Sequence, residues 1–165
     1  MCPSPPRRTH AGFRLERSVT HRLHTLGKLT DRMTQQAYLA EAGVALGEGR
    51  CLAAVGSFAP LSVNDLAGVA NLNKGQASRA AQTLVEQGLV RKDMAPGDGR
   101  GVVLSLTPAG ARVWDRLQSV IERRNREITA CLSAEQFKSL DEILDCLVSH
   151  ASASRGAISP ARDEP

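Results

Sequence analysis

Polar side chains that can hydrogen-bond to nucleic-acid bases cluster in one short stretch, from Lys74 to Arg79. The amide of Gln76 can pair with adenine and the guanidinium of Arg79 with guanine, whereas Ser78 can reach a phosphate or a base edge. The stretch follows Asn73, which can cap the start of a helix. Polar residues at the N-terminal end of a helix are well placed to enter the major groove of DNA.

A second charged group lies in the segment that follows, in a loop rich in Pro and Gly that predicts the tip of a β-hairpin. Arg100 is flanked by glycines, so the tip is thin enough to enter a narrow minor groove, where the negative potential is strongest. Asp98 can orient this arginine through a salt bridge. Arg91 and Lys92 lie at the base of the hairpin, within reach of phosphates.

Two short helices must position the first polar group. Ser62 is a good N-cap, and Asp65 three residues later forms an acidic variant of a capping box, which predicts a helix at 63–70. A second helix is expected at 74–87, with Gly88 as its left-handed C-cap. Such a pair is typical of a helix-turn-helix but fits a plain helical bundle as well. The basic hairpin that follows favours the DNA-binding interpretation.

Apolar residues recur at three- and four-residue steps on both sides of this unit, which predicts further helices. The first stripe predicts a long helix running to about Ala40, and consists of Leu15, Val19, Leu23, Leu26 and Met33. The other expected elements are a second helix at 50–58, β-prone runs at 89–92 and 102–106, a fifth helix opened by Thr107 and Pro108, and a sixth opened by a Ser133–Gln136 capping box.

The composition favours a helical core and an anionic partner. Only 3% of the 165 residues are aromatic, which favours aliphatic helix packing in a small core that a partner chain completes. The net charge is only +4, but it is unevenly distributed. Seven basic and two acidic residues lie between positions 7 and 32, against three basic and six acidic between 135 and 164. This distribution indicates that one face meets an anionic polymer.

Several other classes of protein are not indicated. No apolar run approaches the roughly 20 residues that span a bilayer, and the N-terminus lacks the apolar stretch of a signal peptide, so we expect a cytoplasmic protein without a membrane partner. The four cysteines are far apart, so neither a zinc site nor a disulfide framework is expected, and no cofactor is indicated. Without a phosphate-binding Gly-rich loop, an HExxH motif or a nucleophile–base pair, we expect no enzyme.

The run DGRGVVLSLTPAG, from Asp98 to Gly110, resembles the wing signature of the MarR family of winged helix-turn-helix transcription regulators. In that signature an Asp-x-Arg is followed by a strand and by Leu-Thr-x-x-Gly at the start of a long helix. The stretch NKGQASRAAQTLVEQGLVRK is similar to the family's recognition helix, and the resemblance covers roughly Leu15 to Val148. It implies a mainly α fold with a small β-hairpin wing, and a homodimer that binds a pseudo-palindromic operator in double-stranded DNA.

Residues and resemblance together predict five regions. They are a mobile N-terminal arm (1–12), N-terminal helices for dimerisation and a ligand pocket (13–58), a winged helix-turn-helix DNA-binding lobe (59–107), C-terminal dimerisation helices (108–151) and a mobile tail (152–165). The predicted DNA-binding residues are Ser62, Asn73, Lys74, Gln76, Ser78, Arg79, Arg91, Lys92, Asp98 and Arg100.

The resemblance also implies a switch, since small phenolic or aromatic-acid ligands commonly release family members from DNA. The predicted ligand-binding residues are His21, His24 and Arg50, with Arg50 able to pair a carboxylate in a bidentate manner. Surface positions for the histidines and an internal salt bridge for Arg50 are the alternatives. We therefore expect a homodimeric repressor released by a small aromatic or phenolic carboxylate. A redox-responsive regulator using Cys51, or a helical scaffold that binds no DNA, is the alternative.

Overall fold

The computed structural model describes residues 12–94 and 101–157, with side chains as far as residue 153. Within those ranges the chain is mostly helical. The helices are α1 (Val19–Ala37), α2 (Leu46–Phe58), α3 (Val63–Val69), α4 (Lys74–Glu86), α5 (Pro108–Thr129) and α6 (Ala134–Ala157). A 3-10 turn at Leu15–Arg17 precedes α1, and a π-helical turn at Tyr38–Ala42 follows it. No helix of the described residues is long and apolar enough to cross a membrane.

A small antiparallel sheet accompanies the helices. Its strands are β1 (Leu61–Ser62), β2 (Val90–Met94) and β3 (Val102–Leu106), in the order β1-β3-β2. The β2–β3 hairpin was predicted. In the structure Val90 lies opposite Leu106. The two-residue strand β1 was not predicted, because its pairing of Leu61 with Leu104 joins positions far apart in the sequence. The predicted fold class, mainly α with a small β-hairpin wing, is confirmed.

The contacts divide the chain into two units, one ending at Ile121 and the other beginning at Glu122. The core of the first unit is built from aliphatic side chains, as the composition predicted. Its largest fully buried residues are five leucines, one from each of α2, α3, α4, β3 and α5. In that order they are Leu52, Leu66, Leu84, Leu104 and Leu117. The second unit contains the end of α5 and α6, which begins at a reciprocal cap between Ser133 and Gln136, as predicted.

Several predicted helix ends were wrong. The first α-helix ends at Ala37 rather than near Ala40, where the backbone widens into the π-helical turn. The second begins at Leu46 rather than Arg50, because the Glu48 carboxylate accepts from the Ala45 N–H at 3.0 Å and starts the helix early. Gly49 lies inside α2, and the Tyr38 ring fills the space that a side chain at this position would take. Helix α6 continues to Ala157, beyond the predicted start of the tail at 152.

Candidate nucleic-acid interface

Helix α3 has Ser62 as its N-cap, as predicted, but one of the two hydrogen bonds of the expected capping box differs. The Ser62 hydroxyl accepts from the Asp65 N–H at 3.1 Å, which satisfies one of the free donors at the helix start. The hydroxyl also donates to the Asp65 carboxylate at 2.6 Å. In a regular capping box the carboxylate would instead accept from the backbone N–H of the cap residue. The Ser62 hydroxyl is therefore engaged within the chain both as acceptor and as donor, so it is held at the junction of β1 and α3.

The turn between α3 and α4 is tight. Asn71 has φ 53°, a left-handed conformation that asparagine tolerates better than most residues. The Leu72 N–H then donates to the Ala67 carbonyl at 3.0 Å, which brings the chain back across the end of α3. Helix α4 starts two residues later, so the two helices are joined by a short, hydrogen-bonded turn.

Helix α4 has one buried and one exposed face. Its buried residues pack into the core, and are Ala77, Ala80, Ala81 and Leu84. On the opposite face Ser78, Arg79 and Gln82 are exposed, with Lys74 and Gly75 at the start of the helix. Small alanines on the buried face let α4 approach its neighbours closely. The sequence prediction that the polar start of this helix is exposed and its apolar end faces the core is confirmed.

Two reciprocal hydrogen bonds hold the first turn of α4. The Gln76 N–H donates to Oδ1 of Asn73 at 2.8 Å, and the Asn73 N–H donates to Oε1 of Gln76 at 3.1 Å. The predicted cap at Asn73 is confirmed. The role of Gln76 in that cap was not predicted, although the Asn-x-x-Gln spacing is a capping-box pattern.

The hairpin is tied to α4 by a polar chain. Lys92 in β2 donates from Nζ to Oε1 of Gln82 at 3.0 Å, and Gln82 donates from Nε2 to Glu86 at 2.9 Å. Arg91 donates from Nε to Asp93 at 2.8 Å. Sequence reasoning missed Gln82, although its position one helical turn after Ser78 is the available signal. The predicted tip residues, Asp98 and Arg100, lie outside the described residues.

The base of the hairpin is anchored to the start of α5 by the Leu-Thr-x-x-Gly segment. The Thr107 hydroxyl donates to the Gly88 carbonyl at 2.6 Å and accepts from the Gly110 N–H at 3.0 Å. A side chain at Gly110 would overlap the carbonyl oxygen of Leu89. The threonine thus bridges the turn before β2 and the first turn of α5, and only glycine fits against that carbonyl.

The three predicted ligand-binding residues do not share one depression. His21 lines a surface along α1 and His24 lines another with Asp31, whereas Arg50 lines a third with Tyr38. Arg50 and Asp31 form an ion pair, with 2.5 Å between Nη2 and Oδ1. This pair connects the depression at Arg50 with the one at His24.

The depression at Arg50 has a volume of about 240 Å³. It is lined by Tyr38, Arg50, Ala53, Ala54, Ser57, Phe58, Val69, Ala70 and Asn71. Burial raises the pKa of the Tyr38 hydroxyl, the positive charge of Arg50 opposes this shift, and Asp31 reinforces it. The site therefore combines an apolar wall with a protonated phenol and a guanidinium, which is a suitable set for a small aromatic anion.

The thiol of Cys51 is poorly placed for redox chemistry. The residue is fully buried in α2, and burial raises the pKa of its thiol to about 11, with a smaller contribution from Glu48. A raised pKa keeps the sulfur protonated and unreactive at neutral pH. Cys131 and Cys146 are exposed in the single chain. In the described ranges no three His, Cys, Asp or Glu residues are grouped closely enough to hold a metal ion.

Comparisons with known proteins agree with this geometry. A sequence profile of the MarR family matches residues 42–101, which contain α3, α4 and β2. The multiple antibiotic resistance protein MarR of Escherichia coli K12 is 24% identical over 123 residues, covering 74% of this chain and 85% of that protein. The family and this relative are regulators of transcription, not enzymes.

Two solved structures have a similar fold. A mutant of E. coli MarR in complex with operator DNA superposes with a TM-score of 0.69 at 23% identity, covering 78% of this chain and 92% of that one. A MarR family protein of Mycobacterium tuberculosis in complex with salicylic acid superposes with a TM-score of 0.66 at 22% identity, covering 79% and 96%. At these identities the superpositions show a common fold.

Proposed function

We propose that the chain is a MarR-family transcriptional regulator, a cytoplasmic homodimeric repressor that binds a pseudo-palindromic operator and is released by a small aromatic carboxylate. The observation that carries the DNA-binding part is the two-faced helix α4. Its alanine face is buried, and its capped start presents Lys74, Ser78 and Arg79 to the outside. A helix held in this way can insert its first turns into a major groove.

We assign the contacts by their positions on this frame. Gln76, Ser78 and Arg79 meet base edges, and Lys74 lies beside them at the start of α4. Arg91 and Lys92 meet phosphates on the hairpin side, and Ser62 and Asn73 flank the helix starts. Asp98 and Arg100 lie outside the described residues, and we assign them to the minor groove from the sequence alone. Arg91 and Lys92 are already paired with Asp93 and Gln82. Each has further N–H donors, which can meet a phosphate while these intrachain bonds are kept.

The homodimer is supported by apolar surface on the single chain. Four residues on one side of α1 are more than half exposed, namely Val19 (64%), Leu23 (52%), Leu26 (54%) and Leu29 (61%). Helix α6 also exposes apolar residues, namely Phe137, Ile143, Leu144, Leu147 and Val148. Several exposed apolar side chains along one helix mark an interaction site, and each such side chain stabilises the buried state by roughly 1.5–3 kcal/mol. We propose that a second copy covers both helices.

The effector part of the proposal rests on the depression at Arg50. A family member of similar fold binds salicylic acid. In this chain we place the carboxylate of such an acid on the guanidinium of Arg50, beside the Tyr38 hydroxyl and against the apolar wall. His21 and His24 remain proposed ligand-binding residues, but they line other depressions than Arg50 does. Redox control through Cys51 is not favoured, because that thiol is buried and protonated.

The DNA-binding part is tested by selecting bound duplexes from a random pool, followed by titrations at several salt concentrations. We expect a pseudo-palindrome with half-sites about 10 base pairs apart and an affinity that falls steeply with salt. Arg79→Ala should weaken operator binding about tenfold or more. Arg116→Ala, which removes the same charge from an exposed position on α5, should change it less than about twofold. Absence of an enriched sequence, with any binding insensitive to salt, supports the scaffold alternative instead.

The effector part is tested on a complex with fluorescently labelled operator. We expect at least one benzoate-type acid to release the DNA, and Arg50→Ala to abolish this release while operator binding is retained. The matched alcohol, which lacks the carboxylate, should not release the DNA from either protein. If no aromatic acid acts and Arg50→Ala behaves like the wild type, the effector proposal is wrong.

A further inference from the structure

The first turn of α4 restricts what Gln76 can offer to a DNA base. Its oxygen Oε1 accepts from the backbone N–H of Asn73 at 3.1 Å, and its own backbone N–H is held by the Asn73 side chain at 2.8 Å. A backbone N–H can only donate, so the amide oxygen must face it, and the amide orientation follows from that requirement. Among the described residues, the NH₂ group is the end of this exposed side chain that makes no intrachain hydrogen bond, so it is the end most available to a partner.

Reading adenine requires both ends of the amide. In a bidentate contact with adenine, glutamine donates from Nε2 to N7 and accepts from the N6 amino group at Oε1. Here one lone pair of Oε1 is already occupied by the backbone N–H of the cap residue, so a bidentate contact with adenine must use the remaining lone pair or displace the capping bond. Loss of a capping interaction costs about 1 kcal/mol of helix stability. Adenine recognition by Gln76 is therefore restricted by the cap, whereas donation from the NH₂ group leaves the cap unchanged.

The NH₂ group alone matches a different base. Guanine presents two acceptors, O6 and N7, side by side in the major groove, and one NH₂ group has two hydrogens to donate. We infer that the capping box makes Gln76 a donor-only reader, which specifies guanine rather than adenine at its position in each half-site. This inference rests on the proposed binding of α4 in the major groove. It differs from the adenine preference that the residue type alone suggested.

The capping box also provides a matched variant. Glutamate at this position caps as well as glutamine does, because either side chain can accept from the N–H of the cap residue. Gln76→Glu therefore keeps the oxygen on Asn73 but replaces the NH₂ group with a second acceptor. A free carboxylate oxygen matches the N4 amino group of cytosine. The variant should keep the helix and change the preferred base from guanine to cytosine.

The experiment compares duplexes selected from a random pool by full-length wild type and by Gln76→Glu, after circular dichroism has shown equal helix content. We expect one position per half-site to change, from guanine in the wild-type set to cytosine in the variant set. Replacing that guanine with 7-deazaguanine, which lacks the N7 acceptor, should weaken wild-type binding roughly tenfold and leave Gln76→Glu unaffected.

Three outcomes would overturn the inference. In the first, the wild type selects adenine or another base instead of guanine at the position that changes. In the second, the wild type and Gln76→Glu select the same base at every position. In the third, 7-deazaguanine weakens the binding of both proteins equally. Failure of the proposed function looks different, because the wild type would then enrich no sequence at all, and the inference would fall with it. If the variant loses its helix content, the 7-deazaguanine measurement on the wild type decides the question by itself. Unchanged wild-type affinity for the 7-deazaguanine duplex would then contradict guanine recognition.

Discussion

At the residue scale, several charged or polar side chains have internal partners that shape what they can bind. Arg50 is paired with Asp31 in the free protein, at 2.5 Å and in a partly exposed setting. A ligand carboxylate that uses the guanidinium must therefore compete with an internal carboxylate. Gln76 is similarly engaged by Asn73. In both cases the residue type is evident from the sequence, while its availability depends on a partner.

Removing the internal competitor should strengthen effector binding. Asp31→Asn keeps the shape of the side chain but removes the charge that pairs with Arg50 and repels an incoming anion. Because partly exposed ion pairs contribute about 0.2–1 kcal/mol, we expect affinity for an aromatic acid to rise by a factor between about 1.4 and 5, measured by calorimetry. Asp115→Asn makes the same change at an exposed position on α5 and should leave the affinity unchanged. Equal affinities for wild type and Asp31→Asn would show that the pair does not compete.

The Cys51 thiol should be inert in the folded protein. With a thiol pKa of about 11, only about one molecule in a thousand carries the reactive thiolate at pH 8. Iodoacetamide at pH 8, followed by mass spectrometry, should leave Cys51 unmodified in the native protein and modify it in guanidinium chloride. Rapid labelling of Cys51 in the native protein would revive the redox alternative.

The same pKa shift has a consequence for stability. The unfolded chain ionises this thiol near its ordinary pKa of 9.0, whereas burial in the folded chain raises that pKa to about 11. The contribution of Cys51 is therefore complete below pH 9 and is lost as the pH rises toward 11. Unfolding midpoints recorded across this window should fall for the wild type and fall less for Cys51→Ala.

At the element scale, the position of the hairpin depends on a few anchors. The Thr107 hydroxyl joins Gly88 to Gly110, and Lys92 joins β2 to Gln82 of α4. The Leu-Thr-x-x-Gly segment is recognisable from the sequence as part of a signature. Its physical role is to let the start of α5 pack closely against the carbonyl of Leu89.

A side chain at Gly110 should disrupt this close contact and destabilise the base of the hairpin. Gly110→Ala places a methyl group on the Leu89 carbonyl, so we expect a loss of about 2 kcal/mol in the free energy of unfolding, measured in urea. Gly68→Ala in α3 is the matched control, because no atom outside its own helical turn lies within 4 Å of the position that its methyl group would take. It should be neutral or stabilise by up to about 1 kcal/mol. Equal effects of the two substitutions would contradict the role assigned to Gly110.

At the scale of the whole molecule, the chain combines a well-packed core in its first unit with apolar surface exposed on α1 and α6. A core of mostly Leu, Val and Ala stabilises the lobe that contains α3 and α4. The apolar residues of α1 and α6 remain exposed in the single chain. The proposed homodimer covers them, and it also sets the spacing of the two α4 helices on DNA.

Disrupting the apolar side of α1 should separate the protomers. Leu23→Glu introduces a charge among Val19, Leu26 and Leu29, and we expect the dimer dissociation constant to rise more than about tenfold, measured by light scattering after size exclusion. Thr20→Glu introduces the same group away from the apolar stripe and should leave the dimer intact. A wild type that is monomeric at micromolar concentration would contradict the assignment at once.

The sequence by itself determined the local features of this protein. Helix caps at Ser62, Asn73 and Ser133, the stop at Gly88, the two-faced α4 and the hairpin were all predictable, because each depends on residues within a few positions of one another. The candidate site residues on α4 were identified by type and by their place at a helix start.

Only the tertiary structure decided how these features are engaged. Strand β1, the ion pair of Arg50 with Asp31, the link from Lys92 to Gln82, and the separation of His21, His24 and Arg50 all depend on positions that are distant in sequence. Which partner a side chain meets across the fold depends on how the helices pack, and packing is set by the shapes of many residues at once. Periodicity and spacing carry no information about those distances.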